Sequence, residues 1–366
     1  MHLAPHNARR SLRLPAVSVA LVTALVTAAC GSSSTKASSS GGTTSGSAHG
    51  AGPWTIAYLA QGTTNSFAAQ LDAIVKKVAH ESGKVKSLNY YDAAGDANKQ
   101  LGQLQTVLSQ KPDAMILTPL GKAADTGPVN RAAAAGIPVI LCASSVNTNN
   151  YKSLIAPDTY NAALPVAQWL VNTELKGKGN IAVIDGIAGN DTSEQFGRAI
   201  RDAVKAAPGV KIVQQGYGSF SVSKSKQLAQ TFLSSGQKID GWWGSGGEDA
   251  GGILSALADA KVSTAPPVAG SAATNGTLRL AKENHIPVGM VQFPATLGKN
   301  CVDTALSVLE GKSVPKFVSV TAVPGNEDFY TQDINKFYNP KYTDDYQTGS
   351  DKVLSQTDLQ SLHLLK

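Results

Sequence analysis

From Trp54 onward, short apolar runs rich in β-forming residues alternate with amphipathic helical stretches, and this alternation limits the fold more than any other feature. One strand and one helix together take about 25 to 30 residues. The pattern predicts helical crossovers, and therefore parallel sheets with helices on both faces. The predicted strands are 54–60, 86–92, 113–119, 137–143, 153–157, 180–186, 211–217, 239–245, 266–272, 286–293 and 316–322. The predicted helices are 67–82, 97–109, 123–135, 161–174, 194–206, 223–235, 250–259, 277–283 and 297–310.

The number of strands indicates two lobes, because eleven are too many for one small doubly wound sheet. The stretch from Ser153 to Asp158 follows the fourth strand closely, and we interpret it as the first crossing between the lobes. Gly136 and the Asn284–His285 pair lie where helices should end, each before an Ile-Pro that opens the next strand.

Residues 1–29 are predicted to be a signal peptide. Arg9, Arg10 and Arg13 precede a run without charge, Leu14 to Ala29, which is shorter than the roughly 20 residues of a membrane span. A short membrane anchor that stays attached is the alternative. The residues Thr27-Ala28-Ala29-Cys30 resemble the lipobox of bacterial lipoproteins, with Thr27 where leucine is usual, so Cys30 is the predicted site of lipidation.

Residues 30–53 are predicted to be a lipid-anchored flexible Ser/Gly linker, because Gly31 to Gly52 contains one charged residue and no large apolar side chain. The remaining body is long enough for two domains. The chain has 32 basic and 26 acidic residues, and three of the basic ones leave with the signal. A mature chain with a net charge of +3 has no feature that indicates nucleic-acid binding.

Four motifs in a fixed order carry a family resemblance: "TTNSF" after the first strand, "AGIPVIL" at the fourth, "IDGIAGNDTSEQFGRAIRDAV" at the sixth and "VQFP" near the end. From Trp54 to Tyr338 the chain resembles the ribose-type periplasmic sugar-binding family. The resemblance implies an α/β fold of two Rossmann-like lobes with parallel sheets, joined by a three-crossing hinge, which is the type I periplasmic binding protein architecture.

The same resemblance implies the lobe bounds. The expected N-lobe is 54–155 and 294–321, and the expected C-lobe is 156–293 and 322–340. The crossings are expected near Ile155–Asp158, Val291–Pro294 and Thr321–Pro324. The C-terminal extension, 341–366, lies beyond the resemblance, and the sequence leaves open whether it packs on a lobe or serves a partner.

Ligands of open parallel sheets bind outside the carboxyl ends of the strands, where loops and helix N-termini converge. With the resemblance, this rule predicts aromatic stacking and polar contacts from Asn65, Phe67, Ser144, Asn190, Asp191, Phe220, Glu248 and Gln292. Each has a purely structural alternative. Asn65, Asn190 and Asp191 can cap helices, and Gln292 can bond to the hinge backbone.

Several positions depart from the family pattern. Ala143-Ser144, Phe196, Gly246-Gly247 and Ala272 stand where ribose-type members carry the charged and amide groups that clamp sugar hydroxyls. The loss of these groups favours a polyol, a modified sugar or a nucleoside-like ligand over an unmodified hexose.

Cys142 and Cys301 are the two cysteines that remain after lipidation, and in an oxidising compartment they form either a disulfide or two buried thiols. The predicted function is that of an extracytoplasmic lipoprotein, anchored to the cell membrane, that delivers a small sugar-like ligand to an ABC import permease. A ligand-sensing lipoprotein that signals to a membrane receptor is the main alternative. An enzyme on a doubly wound fold is a second one, although no catalytic arrangement, metal spacing or cofactor motif is found in the sequence.

Overall fold

The structure of the protein is a computed structural model, which describes residues 52–262, 264–271, 274–320, 329–330 and 337–366. The described strands form two six-stranded sheets with helices packed on them. The predicted alternation of strands and helices is confirmed, and most element ends lie within three residues of the predicted ones. The α/β class with two separate sheets follows from this alternation.

The first sheet is entirely parallel. Its strands, in spatial order, are β11 (Phe317–Ser319), β5 (Ser153–Ala156), β4 (Val139–Cys142), β3 (Ala114–Leu117), β1 (Trp54–Ala60) and β2 (Val85–Asp92). The interpretation of Ser153–Asp158 as a crossing is therefore wrong in part. β5 pairs with both β4 and β11 as a sheet strand, and the chain leaves the sheet after Ala156.

The second sheet has one antiparallel edge. Its strands, in spatial order, are β12 (Phe329–Tyr330), β10 (Val288–Val291), β9 (Val268–Ser271), β8 (Gly241–Gly244), β6 (Lys178–Asp185) and β7 (Gly209–Tyr217). β12 runs antiparallel to β10, an edge pairing that the sequence pattern does not predict. β12 is reached from β11 of the other sheet.

Each sheet carries its own helices, and we call the two resulting bodies the first lobe and the second lobe. The first lobe has α1 (Ser66–Glu81), α2 (Ala97–Gln110), α3 (Thr126–Ala134) and α9 (Leu297–Leu309). The second lobe has α4 (Thr159–Gln168), α5 (Asp191–Ala206), α6 (Val222–Ser234), α7 (Gly247–Ala260) and α8 (Asn275–Glu283). A π-helical turn, Trp169–Glu174, continues α4. The C-terminal extension has a 3₁₀ turn, Ser350–Lys352, and a short helix, α10 (Gln356–Ser361).

The chain passes between the two sheets after β5, after β10 and after β11. This is the three-crossing connection of the type I architecture. Residues 321–324, where the third crossing is expected, lie outside the described residues. The lobe bounds 54–155 with 294–321, and 156–293 with 322–340, therefore stay a prediction.

The strands are buried on both faces, as their continuous apolar runs indicate. Along β1, Ile56 and Tyr58 pack with Leu71 of α1, while Leu59 packs with Leu104 of α2 on the opposite face. This is the two-residue period of a strand covered by helices on both sides. Full burial of such side chains stabilises the fold by about 1.5–3 kcal/mol each.

A disulfide joins the first sheet to one of its helices. Cys142 at the end of β4 is bonded to Cys301 of α9, with an S–S distance of 2.00 Å and a Cα–Cα distance of 5.9 Å. Of the two states that the sequence leaves open, the bonded one is found in the structure. Both cysteines belong to the first lobe, and the bond closes a loop with a sequence separation of 159 residues that includes strands β6 to β10 of the second lobe.

Candidate functional site

A cavity lies between the two lobes, at the carboxyl ends of their strands. It encloses about 480 Å³ that no atom fills, part of it open to solvent. Its wall is formed by residues that follow β1, β3 and β4 in the first lobe and β6, β7 and β8 in the second. The position is the one that the crevice rule for parallel sheets requires.

Four phenylalanines form the apolar part of the wall: Phe67, Phe196, Phe220 and Phe293. The rings of Phe67 and Phe293 meet edge to face with centroids 5.2 Å apart, and the Phe196 centroid lies 6.4 Å from that of Phe293. Phe293 is absent from the predicted site, although its place just after β10 satisfies the strand-end rule. The cavity is therefore more aromatic than predicted, which suits the C–H faces of a polyol or sugar ring.

The Phe220 ring occupies space that two glycines leave free. A Cβ at Gly186 would lie 2.1 Å from the Phe220 Cε1, and one at Gly246 would lie 2.4 Å from its Cδ1. Ser219 and Phe220 both have positive φ, 58° and 52°, a costly backbone state that is concentrated at functional sites. Gly246, one of the positions that depart from the family pattern, therefore leaves the space that the Phe220 ring occupies.

Six of the eight predicted ligand-binding residues line the cavity: Asn65, Phe67, Ser144, Asn190, Phe220 and Glu248. Asp191 and Gln292 do not line it. Ligand contact stays a prediction for all eight. Thr192, Ser245 and Ser271 line the cavity as well, and sequence reasoning missed them because hydroxyls at strand and helix ends carry no distinctive signal.

The Asp191 carboxylate pairs with a cation of the opposite lobe. Lys122 Nζ of the first lobe lies 2.6 Å from an Asp191 carboxylate oxygen and 3.2 Å from one of Glu194. Burial raises the pKa of Asp191, but hydrogen bonds from Lys122 and Ser145 outweigh it, so that the pKa is lowered overall. The charge of Asp191 therefore joins the two lobes.

Asn190 caps a helix, which is the structural alternative to ligand contact, and it also forms hydrogen bonds to the other lobe. Its Oδ1 accepts a hydrogen bond from Ser193 N and caps α5. Its Nδ2 donates across the cleft to Pro119 O at 3.0 Å and to Ser144 Oγ at 3.3 Å. Thr192 Oγ1 likewise donates to Ala143 O at 3.0 Å. These bonds cross the cleft, so the structure has the two lobes in contact around the cavity.

The Glu248 carboxylate completes this set of contacts. It belongs to the first turn of α7, and its Oε1 accepts a hydrogen bond from Phe67 N, at the start of α1, at 3.3 Å. Asn65 Oδ1 caps the same end of α1 by accepting from Ala68 N. Burial raises the pKa of Glu248 to about 7, and Asp345 of the C-terminal extension adds to the effect.

Gln292 follows β10 in the hinge and is 6% exposed. Neither its amide nitrogen nor its amide oxygen has a hydrogen-bond partner among the described residues. The structural alternative, hydrogen bonds to the hinge backbone, is therefore not found among the described residues. A buried amide without partners is costly, so this side chain has unused capacity for hydrogen bonding beside the cavity.

The C-terminal extension packs on both lobes. Gln70 of α1 donates from Nε2 to Asp345 O at 2.7 Å and accepts from Gln347 N at 3.0 Å. On the second lobe, Asn275 N donates to Tyr346 O and Asn275 Nδ2 donates to Tyr342 O, both at 2.9 Å. Of the two possibilities that the sequence leaves open, the extension thus packs on the fold.

The extension also borders the entrance to the cavity. A wider groove adjoins the cavity and shares Asn65, Phe220 and Glu248 with it. Asp345, Leu362 and Leu364 of the extension form one side of this groove. A ligand that enters from this side therefore passes along the extension.

Other predicted features lie outside the described residues: the signal peptide, Cys30, the linker up to residue 51, and Ala272. In the part of the chain that the structure describes, no helix is long and apolar enough to cross a membrane. Those same residues contain no group of three or more side chains suited to hold a metal ion.

Comparison with known proteins identifies the family to which this architecture belongs. The family described as "Periplasmic binding protein domain" matches residues 56–313. The ribose import binding protein of Bacillus subtilis is 24% identical over 266 residues, which cover 73% of this chain and 85% of that protein. A putative rhizopine-binding protein of Rhizobium meliloti is 28% identical over 243 residues, which cover 64% of this chain and 77% of that protein.

A solved structure shares the fold. An ABC transporter solute binding protein from Bacillus halodurans, with bound myo-inositol, superposes with a TM-score of 0.70 at 23% identity. The match covers 78% of this chain and 98% of that one. At this identity, the similarity establishes the two-lobed fold.

Proposed function

Because the chain belongs to the periplasmic binding protein family, of the ribose type, we propose that it captures a small sugar-like ligand between its lobes and delivers it to an ABC import permease. The observation that carries the proposal is the cavity at the carboxyl ends of both sheets. Four phenylalanines and several amide and hydroxyl groups line it. Such a wall suits a molecule with an apolar C–H face and a rim of hydroxyls.

The ligand is small and either neutral or weakly charged, and a polyol, modified sugar or nucleoside-like molecule fits best. No lysine, arginine or histidine is among the described residues of the wall. A relative named for ribose import, and a solved structure of similar fold that contains myo-inositol, support the polyhydroxylated class. The ligand contacts are proposed to come from the six predicted residues in the wall and from the unpaired amide of Gln292.

Ligand binding favours the closed arrangement because the wall takes residues from both lobes. A ligand that contacts both lobes shifts the population toward the closed state. The similarity to a ribose import binding protein supports delivery of the ligand to a permease as the step that follows closure.

A thermal-unfolding screen over sugars, polyols, nucleosides and amino acids tests the proposed ligand class. A specific ligand at 100 times its Kd adds about 2.7 kcal/mol to the free energy of unfolding. We expect stabilisation by a polyhydroxylated compound. Stabilisation by an amino acid, with none of the polyhydroxylated compounds active, would contradict the proposal.

We further propose that the mature protein is held outside the cytoplasmic membrane by an acylated Cys30. The signal-like residues before Cys30 and the Ser/Gly linker after it support this location. Cys30→Ala should move the protein from the membrane fraction to the soluble fraction. Thr27→Leu is the matched control, since it makes the lipobox more typical and should leave the protein with the membrane.

A further inference from the structure

We propose that the ligand carries a protonated amine beside its hydroxyl groups, and that Glu248 binds this ammonium group. The inference rests on the proposed function, because it assumes that a polyhydroxylated ligand occupies the interlobe cavity. It narrows the ligand class to amino sugars and aminated polyols.

Glu248 is the one charged side chain among the described residues of the cavity wall. Other acids near the cavity already have partners. Asp191 pairs with Lys122, and Asp185 pairs with Arg201 at 2.6 Å. Asp249 is turned to Ser225 Oγ and Gly246 N, which donate to its two oxygens.

Within the described part of the chain, Glu248 forms no ion pair. Backbone N–H groups of Phe67, at 3.3 Å, of Ser66 and of Glu248 itself act on this carboxylate. Since an ionised carboxylate has about four acceptor sites, capacity for a donor from the ligand is left. The residue is 5% exposed, and a buried charge is normally paired. A cation from the ligand would supply the missing partner.

The acidic surroundings of Glu248 point the same way. Asp249 neighbours it on α7, and Asp345 of the C-terminal extension acts on its pKa from outside the cavity. Burial first, and then the negative charge of Asp345, disfavour ionisation of Glu248, whose pKa is raised to about 7. A bound ammonium group reverses this effect, because it stabilises the ionised carboxylate.

The aromatic wall suits the same cation. Phe67 supplies the N–H that bonds to Glu248, and the Phe220 ring packs against Gly246. Both rings line the cavity, and aromatic rings attract ammonium groups that lie over their faces. A site of one carboxylate and aromatic rings without a cation also disfavours sugar phosphates and sugar acids.

The competing explanation is that Glu248 only joins the lobes through Phe67 N. The two explanations differ in their dependence on the charge of the ligand. If Glu248 only joined the lobes, the hydroxyl and amine forms of a ligand would bind equally, whereas the proposed ion pair predicts tighter binding of the amine form.

Calorimetric titration with matched probes tests this difference. The probes are D-glucose with D-glucosamine, D-galactose with D-galactosamine, and myo-inositol with an aminodeoxyinositol, and the N-acetyl form of each amine. In at least one set, the amine should bind the wild type at least about tenfold more tightly than both the hydroxyl and the N-acetyl forms. In Glu248→Gln, the amine and hydroxyl forms should bind alike.

A second part of the experiment compares binding of the same probes at pH 7.0 and at pH 5.5. Since Glu248 must be ionised to hold an ammonium, amine binding to the wild type should weaken about tenfold at the lower pH. Hydroxyl binding should change little. The Glu248→Gln variant should show no such change, although Asp249 and Asp345 remain in it.

The outcomes separate this inference from the proposed function. Equal binding of amine and hydroxyl forms by the wild type overturns the inference and leaves the proposed function standing. Binding of none of the probes, with no polyhydroxylated compound active in the thermal screen, overturns both. The comparison of amine with N-acetyl forms uses the wild type alone, so it decides the question even if Glu248→Gln folds poorly.

Discussion

Lys122 and Asp191 lie on opposite lobes, and the Lys122 Nζ is 2.6 Å from an Asp191 carboxylate oxygen. Together with the bonds from Asn190 to Pro119 and from Thr192 to Ala143, this ion pair closes the lobes around the cavity. In the proposed capture and release of a ligand, the same contacts must break when the lobes open. They therefore set the balance between the open and closed states on which affinity depends.

Removal of the Lys122 charge should weaken ligand binding. Lys122→Met leaves Asp191 buried without a cation in the closed state only, which costs about 1–2 kcal/mol after allowance for the partial exposure of Lys122. We expect a 5- to 30-fold higher Kd by calorimetry. Lys299→Met is the matched control, because Lys299 pairs with Asp303 within α9 and should leave Kd unchanged. Equal Kd values for Lys122→Met and the wild type would show that the pair does not favour closure.

The packing of the C-terminal extension on the first lobe should depend on Gln70. Gln70→Ala removes the hydrogen bonds to Asp345 O and from Gln347 N, and should lower the free energy of unfolding by about 1–3 kcal/mol. Hydrogen exchange at the Gln347 amide should become faster than in the wild type. Gln103→Ala, which removes a bond to Asp92 O within the first lobe, should leave this amide protected. Unchanged exchange at Gln347 in Gln70→Ala would contradict the assigned contact.

The disulfide between Cys142 and Cys301 should stabilise the first lobe. The double variant Cys142→Ala, Cys301→Ala should lose about 2–5 kcal/mol of unfolding free energy, because the bond closes a long loop. Reductant should lower the unfolding midpoint of the wild type and leave that of the double variant where it is. A wild type that is insensitive to reductant under unfolding conditions would show that the bond contributes no stability.

Glu248 should make the unliganded protein less stable as the pH rises. Its pKa is about 7 in the fold against an ordinary value of 4.5, so the folded state holds the proton more tightly than the unfolded state. The free energy of unfolding should then fall between pH 4.5 and 7, by up to about 3 kcal/mol from this group. Glu248→Gln should remove this part of the slope.

Glu310→Gln is the control for this pH dependence. Hydrogen bonds from Lys312 and Lys84 lower the pKa of Glu310 to about 2, so its contribution is lost only as the pH falls below 4.5. Between pH 4.5 and 7 this variant should follow the wild type. A slope in Glu248→Gln equal to that of the wild type would show that Glu248 is not held protonated by burial.

The order of elements could be predicted from the sequence because apolar periodicity is local. The run Trp54–Ala60 is a strand buried on both faces, and six predicted site residues line the cavity because strand ends converge in parallel sheets. The antiparallel edge strand β12 could not be predicted, since its two residues are too few to show the period of a strand.

Contacts between distant segments could not be predicted, because periodicity in the sequence reports only on local structure. Asp191 has its partner Lys122 on the other lobe, so its role depends on closure rather than on local pattern. Gln70 and Gln347 are 277 residues apart, and the polar extension contains no periodicity that identifies its contacts.

Calorimetric titration of the best ligand from the thermal screen into the wild type, Phe67→Ala and Tyr217→Ala tests the central claim most directly. Phe67 lines the interlobe cavity, whereas Tyr217 is an aromatic residue of the second lobe that is 56% exposed and absent from the wall. Ligand bound between the lobes predicts one site per chain, a loss of about tenfold or more in affinity for Phe67→Ala, and no change for Tyr217→Ala. Wild-type affinity in Phe67→Ala would contradict the account.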